Sequence, residues 1–132
     1  MIPPALLHEM LVADESGSLT WRLRPAGHFQ PSPRRTSEHV AANWNSHYAG
    51  YPAITCVTPF GHKTGHINGL LLYAHRIVWA MHTGQWPKNE IDHINGDPGD
   101  NRIVNLRDVP HLANLRNQAA PKNNTTGFVG VY

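Results

Sequence analysis

Apolar and polar positions along the chain change period several times. After Pro3 and Pro4, the run ALLHEMLVA places Leu6, Leu7, Met10 and Leu11 on one face, which predicts a short helix with a proline-led first turn. DESGS reads as a turn. LTWRLRP then alternates Leu19, Trp21 and Leu23 against Thr20, Arg22 and Arg24, the period of a half-buried strand. Its two arginines read as a solvated face or, functionally, as phosphate contacts. Residues 25–50 are rich in Pro, Ser, Asn and His, so a long loop with at most one short strand is expected. YPAITCV and INGLLLYAHR are strand-like runs, joined across TPFGHKTGH as a hairpin. AHRIVWAMHTG returns to helical spacing, with Ile77, Val78 and Met81 apolar, Trp79 beside them and Gly84 as the stop. QWPKN links to EIDHI, a strand. NGDPGDN is a turn-rich loop, RIVNLRDV a returning strand, and Pro110 opens a short helix, HLANLRNQA. The fold class expected is α+β: a small mixed domain whose N-terminal helix and antiparallel strands lead into a strand–loop–strand–helix unit.

Composition narrows the partners. The chain has 132 residues, enough for one ordinary domain, and its 40% hydrophobic content can fill a core. A net charge of +2 and a pI near 8.9 make it mildly basic, which suits a nucleic-acid partner without requiring one. Ten histidines would add charge in mild acid and strengthen any affinity for anions or DNA. Cys56 is the single cysteine, so no disulfide within the chain and no cysteine zinc cage can form, and a reducing intracellular setting is expected. The N-terminus reads as neither a signal peptide nor a membrane span.

The chemistry concentrates in EIDHINGDPGDNRIVNLRDVPHLANLRNQ, Glu90 to Gln118. Asp92 directly precedes His93, a tight polar turn follows, and asparagines stand at 105 and 114. With AHR…W…G…P upstream, this order resembles the HNH endonucleases of the ββα-metal (His-Me finger) type, in their phage and homing forms. The resemblance covers Ala74 to Gln118 and extends weakly to LTWRLRP. It implies a divalent-metal-dependent DNA endonuclease that leaves 5′ phosphate and 3′ hydroxyl ends. His93 is then the general base, since a neutral imidazole can take a proton from water near neutral pH. Asp92 and Asn114 are the metal ligands, hard oxygen donors suited to Mg²⁺ or Mn²⁺. Asn105 is implied to tie the loop and orient His93, and is grouped with it as catalytic. Asp92 and His93 are adjacent, and successive side chains of a regular strand point to opposite faces. Either the backbone leaves the pleat there, or the two groups flank the substrate from either side.

Other residues carry weaker readings. Arg76, Arg102, Arg107 and Arg116 are the DNA-phosphate candidates near the site, joined by the adjacent pair Arg34 and Arg35 in the polar loop. Asn117 is a weaker metal-ligand candidate. Asp97 and Asp100 read as loop-shaping residues, His75 as a packing or orienting residue, His82 and His111 as surface or cap positions, and Trp79 and Trp86 as core. Pro110 stands where related sequences tend to carry a capping threonine or serine. NNTTGFVGVY resembles the opening of an Apetala-two-type DNA-binding domain, with Val129 in place of its usual basic residue. The expected division is 1–73, an N-terminal helix and β region; 74–120, the nuclease core; and 121–132, a linker and remnant of that second domain. Two rival readings are a degenerate HNH fold that binds DNA without cutting, and a zinc site built from His62, His66 or His75. Monomer and homodimer are both open, and the expected location is the cytoplasm of a bacterial or phage-infected cell.

Overall fold

A computed structural model describes residues 2–110. Asn114, Arg116, Asn117, His111, the expected helix after Pro110 and the tail 121–132 lie outside the described residues.

Helix α1 runs Pro4–Met10, with proline at its first position, and buries Leu7 and Met10. It is shorter than expected. Leu11–Ala13 leaves the helix as strand β1, which pairs antiparallel with β2, Leu19–Trp21. The sheet is completed by β3, Pro52–Ala53. The expected alternation over LTWRLRP holds only as far as Trp21. Beyond the strand the sides reverse: Leu23 is 73% exposed and Arg24 is 6% exposed. Arg24 turns inward because aromatic rings and polar acceptors receive its guanidinium.

The stretch 25–50 is not a loop. After a 3₁₀ turn at Ala26–His28, helix α2 spans Ser37–Tyr48. Thr36 caps it, its side chain accepting from the His39 amide. The helix has one fully buried residue, Ala41, and its Val40, Ala41, Trp44 and Tyr48 recur at helical spacing, a weak apolar stripe interleaved with Asn and His that sequence reading passed over. Its anchors are tertiary. Asn45 accepts from the Arg24 amide at 2.9 Å and donates to the Arg24 carbonyl at 3.0 Å. Trp44 packs edge-on against Trp21 with ring centroids 5.0 Å apart.

A second antiparallel sheet joins β4, Cys56–Val57, β5, Lys63–Ile67, and β6, Leu70–Tyr73. The expected hairpin connection TPFGHKTGH therefore supplies most of β5, and INGLLLY is two strands rather than one. Their turn is Asn68–Gly69, both at positive φ (50° and 81°), the two-residue geometry that matches strand twist. Helix α3, Ala74–Thr83, ends at Gly84 as expected and buries Ile77, Val78 and Met81. The last sheet pairs β7, Glu90–His93, with β8, Leu106–Val109. The returning strand thus starts later than expected: Ile103–Asn105 forms a 3₁₀ turn, and Val104 is exposed.

One core unites these pieces. Leu7, Met10 and Leu11 from the N-terminal part, Ile67 and Leu72 from the second sheet, Ile77 and Val78 from α3, and Ile91 and Leu106 from the last hairpin form a single buried cluster. It runs across the 73/74 position. Each leucine-sized side chain buried here contributes about 1.5–3 kcal/mol. Trp79 and Trp86 pack against the cluster, as expected. Trp86 also donates to the Ile2 carbonyl at 2.6 Å, and the His8 ring to the Met81 carbonyl at 2.8 Å, fastening α1 to the α3 region.

Candidate functional site

The β7–β8 hairpin fixes the direction of each side chain. Asp92 pairs with Arg107 and His93 with Leu106 in an unbroken antiparallel register. Burial alternates along β7: Ile91 and His93 are buried, Glu90 and Asp92 are partly exposed. Asp92 and His93 therefore project to opposite faces of a regular strand, and the backbone leaves the pleat only after His93. The turn begins where the Gly96 amide donates to the His93 carbonyl.

Asn105 holds that turn. Its side-chain oxygen accepts from the Asn95 amide, and its NH₂ donates to Asn95 Oδ1 and to the Asp100 carbonyl. Its own carbonyl accepts from the Ile94 amide. Asp97 and Asp100 shape the loop between. The Asp97 carboxylate accepts from the Gly99 amide, and Asp100 accepts from Asn95 and doubly from Arg102. The Arg102 guanidinium holds the Asp100 carboxyl well below the usual range.

The direct partner of His93 is a different asparagine. His93 Nε2 lies 2.9 Å from Asn101 Oδ1, and both residues are buried. With the amide oxygen accepting, Nε2 carries the proton and Nδ1 keeps the lone pair. Nδ1 meets no hydrogen-bond partner among the described residues. Burial pushes the His93 pKa below its ordinary value, against the Asn101 bond, which raises it. The ring is therefore neutral near pH 7. Sequence reading passed over Asn101, although GDNR placed a second asparagine eight residues after His93, across the turn.

Two further histidines crowd the same pocket. The His75 ring lies 5.2 Å and the His62 ring 5.9 Å from that of His93, centroid to centroid. Burial pushes His75 down to about 3, with neighbouring positive charge adding to the effect. His75 is thus a neutral ring packed on His93. The zinc reading loses support, because His66 is exposed and, among the described residues, no group of three His, Cys, Asp or Glu side chains could hold a metal ion.

On the opposite face, the Asp92 carboxylate meets Arg107. Nε and Nη2 reach the same oxygen, Oδ2, at 2.8 and 2.6 Å. Oδ1 takes no hydrogen bond among the described residues. The donor set fits a hard divalent cation in one respect: Mg²⁺ is commonly held by one or two carboxylates, with water and phosphate oxygens completing its shell. Of the expected ligands, Asp92 is the one within the described residues.

The arginines expected to meet DNA are differently placed. Arg107 is engaged by Asp92 and Arg102 by Asp100. Arg76 donates to the Asn89 carbonyl at 3.2 Å. Arg34 and Arg35 sit in an exposed turn, where their backbone amides bond to Ser32, and their side chains make no hydrogen bond or ion pair among the described residues.

The site thus consists of a β-hairpin carrying a buried imidazole on one face and a carboxylate on the other, backed by α3. Comparisons with known proteins find likenesses that include this hairpin. Residues 72–116 match the family model described as HNH endonuclease. The fold is similar to that in a solved structure describing DNA binding and cleavage by the HNH homing endonuclease I-HmuI. The TM-score is 0.50 at 18% identity, over 83% of this chain and 51% of that one. At that identity the likeness is one of fold. Protein 3.8 of Escherichia phage T7 is 40% identical over 58 residues, 43% of this chain and 48% of that protein. The chain therefore spans about half the length of the curated relative it matches. The family match ends at residue 116, and no comparison shows the Apetala-two-type resemblance expected of the tail.

Proposed function

We propose that this chain is a divalent-metal-dependent DNA endonuclease that hydrolyses phosphodiester bonds. The observation that carries the reading is the His93 ring. It is neutral, bonded through Nε2 to Asn101, and left with an unpartnered Nδ1 lone pair that is closed off from solvent in the DNA-free chain. Where DNA binding opens the pocket to the attacking water, Nδ1 takes its proton as that oxygen bonds to phosphorus; the 3′ oxygen leaves and takes a proton from solvent. The Asp92 and Asp97 carboxylates favour the imidazolium so formed. Asn101 positions the ring, and Asn105 positions the loop that carries Asn101. Asp92, with Asn114, would hold the cation, which when bound supplies Lewis acidity at the phosphate. The products are 5′ phosphate and 3′ hydroxyl ends. A monomer would nick one strand, and a homodimer could cut both. DNA is the partner, and a bacterial or phage-infected cytoplasm is the setting.

Plasmid relaxation with Mg²⁺, with and without chelator, tests this. Wild type nicks only with metal, while His93→Ala binds DNA and does not cut. Equal nicking by both chains would remove His93 as the base.

One observation favours the second reading, a degenerate HNH fold that binds DNA without cutting. Arg107 already occupies one oxygen of the proposed metal ligand. Under that reading neither chain nicks at any metal concentration, yet both bind DNA.

A further inference from the structure

The N-terminal part contains a second polar centre that the nuclease reading does not use. Arg24 is 6% exposed, and no carboxylate touches it among the described residues. Its Nε donates to His28 Nδ1 at 3.1 Å, so the proton of that imidazole sits on Nε2, which donates to Glu9 at 3.1 Å. Glu9 thus reaches Arg24 only through the His28 ring. Nη2 donates to Asn68 Oδ1 at 3.3 Å. Nη1 makes no hydrogen bond among the described residues, although a guanidinium has five donors to satisfy. Phe29 and Trp44 both pack on the guanidinium, their ring centroids 4.8 and 4.9 Å from its central carbon and 5.9 Å from each other.

This guanidinium lines a cavity of about 400 Å³, walled also by Trp21, Phe29, Trp44, Tyr48 and Asn68. Its volume falls within the range of small-ligand sites, roughly 300–1,000 Å³. Burying a cation without a direct counter-charge is costly, and an incoming anion or acceptor edge offsets that cost. Aromatic walls around a cationic floor are the chemistry of unpaired nucleotides, whose bases present flat π faces and whose edges and phosphates accept hydrogen bonds. A purely structural arginine would have no need of an open aromatic cavity above it. Tyr48, 49% exposed and packed on Trp44 at 5.0 Å, puts one more ring at the opening.

We propose that this cavity receives one unpaired nucleotide of the DNA, its base against the aromatic wall and an acceptor atom on Arg24. The inference rests on the DNA-directed reading above. It would give the chain a preference for DNA that is bulged, frayed or locally opened, at a point separate from the hairpin that carries His93.

The test uses the full chain carrying His93→Ala, in chelator, so that no DNA is cut. Fluorescence anisotropy compares a flush duplex, the same duplex with one bulged nucleotide, and one with a bulged abasic residue. The bulged nucleotide is expected to bind roughly 5- to 100-fold more tightly than either of the others. Adding Arg24→Met or Tyr48→Ala reduces that preference. Equal affinity for the three DNAs, or a preference that survives both substitutions, overturns the proposal. If circular dichroism shows Arg24→Met unfolded, Tyr48→Ala decides alone. Equal binding by a chain whose wild-type form still nicks plasmid sinks the cavity and leaves the nuclease standing. A chain that binds none of the three DNAs sinks both.

Discussion

His93 Nε2 lies 2.9 Å from Asn101 Oδ1, and this buried bond sets which nitrogen of the imidazole is free. Adjacent rings and strand packing hold the ring in place, but only Asn101 distinguishes its two nitrogens among the described residues. A test of the pair should therefore read protonation as well as rate. His93→Ala is expected to lower single-turnover cleavage by about 10²–10⁴-fold. Asn101→Ala is expected to lower it less and to move the acid limb of the pH profile to lower pH, because the lost bond raises the His93 pKa. An Asn101→Ala profile parallel to wild type would reduce Asn101 to a packing role.

The acid limb itself has an expected position. The sequence predicts that cleavage rises with pH through the ordinary imidazole range. Burial shifts that rise toward acid, so the rate should be flat above about pH 6.5 and fall below it. Measuring single-turnover rates at fixed metal concentration checks this. A midpoint well above that value would contradict a buried neutral base.

Stability should fall in the same direction for a separate reason. His75 is held down to about 3 in the folded chain, against roughly 6.5 when unfolded. Between those values the unfolded chain binds a proton that the folded chain does not. The contribution is therefore complete above the unfolded pKa and is lost as pH falls, at up to about 1.4 kcal/mol per unit. Urea unfolding of wild type and His75→Phe at neutral and mildly acid pH measures it. The substitution is expected to flatten the acid decline, and identical declines would assign it elsewhere.

Arg107 and Asp92 form an exposed-edge pair, with Arg107 46% and Asp92 14% exposed. Such a pair contributes about 1 kcal/mol or less to folding. Arg107→Ala should accordingly leave the melting temperature almost unchanged. It should also lower the Mg²⁺ concentration needed for half-maximal nicking, since the guanidinium competes for the carboxylate. A raised requirement would show Arg107 helping the site rather than blocking it.

Gly17, in the turn between β1 and β2, presses on the site loop. Its φ is +84°, and a Cβ placed there would overlap the backbone carbonyl of Asn101. Backbone on backbone has no flexible end to yield. Gly17→Ala should cost on the order of 1–3 kcal/mol from conformation alone, and more from the clash. Thermal unfolding and nicking should both suffer. An unchanged melting temperature would mean that the turn moves freely away from the loop.

Much of this protein was legible in the chain. Local period and punctuation determined α1, α3 with its Gly84 stop, and β7, because each carries its apolar pattern or breaker in adjacent residues. The order Asp92-His93, turn, Asn105 likewise marked the hairpin, since hydrogen bonds between residues five and ten positions apart close that loop. Helix α2 was missed because its apolar positions, Val40, Ala41, Trp44 and Tyr48, are few and set among Asn, His and Ser, so the stripe is weak. A cap at Thr36 and an asparagine reaching back to Arg24, 21 residues away, hold it in place. The inward turn of Arg24, the meeting of His62 and His75 with His93, and the approach of Gly17 to Asn101 were decided in the same way. These are contacts between distant segments that no local pattern encodes, and they exist only once one shared core has brought the N-terminal sheet, α3 and the hairpin together.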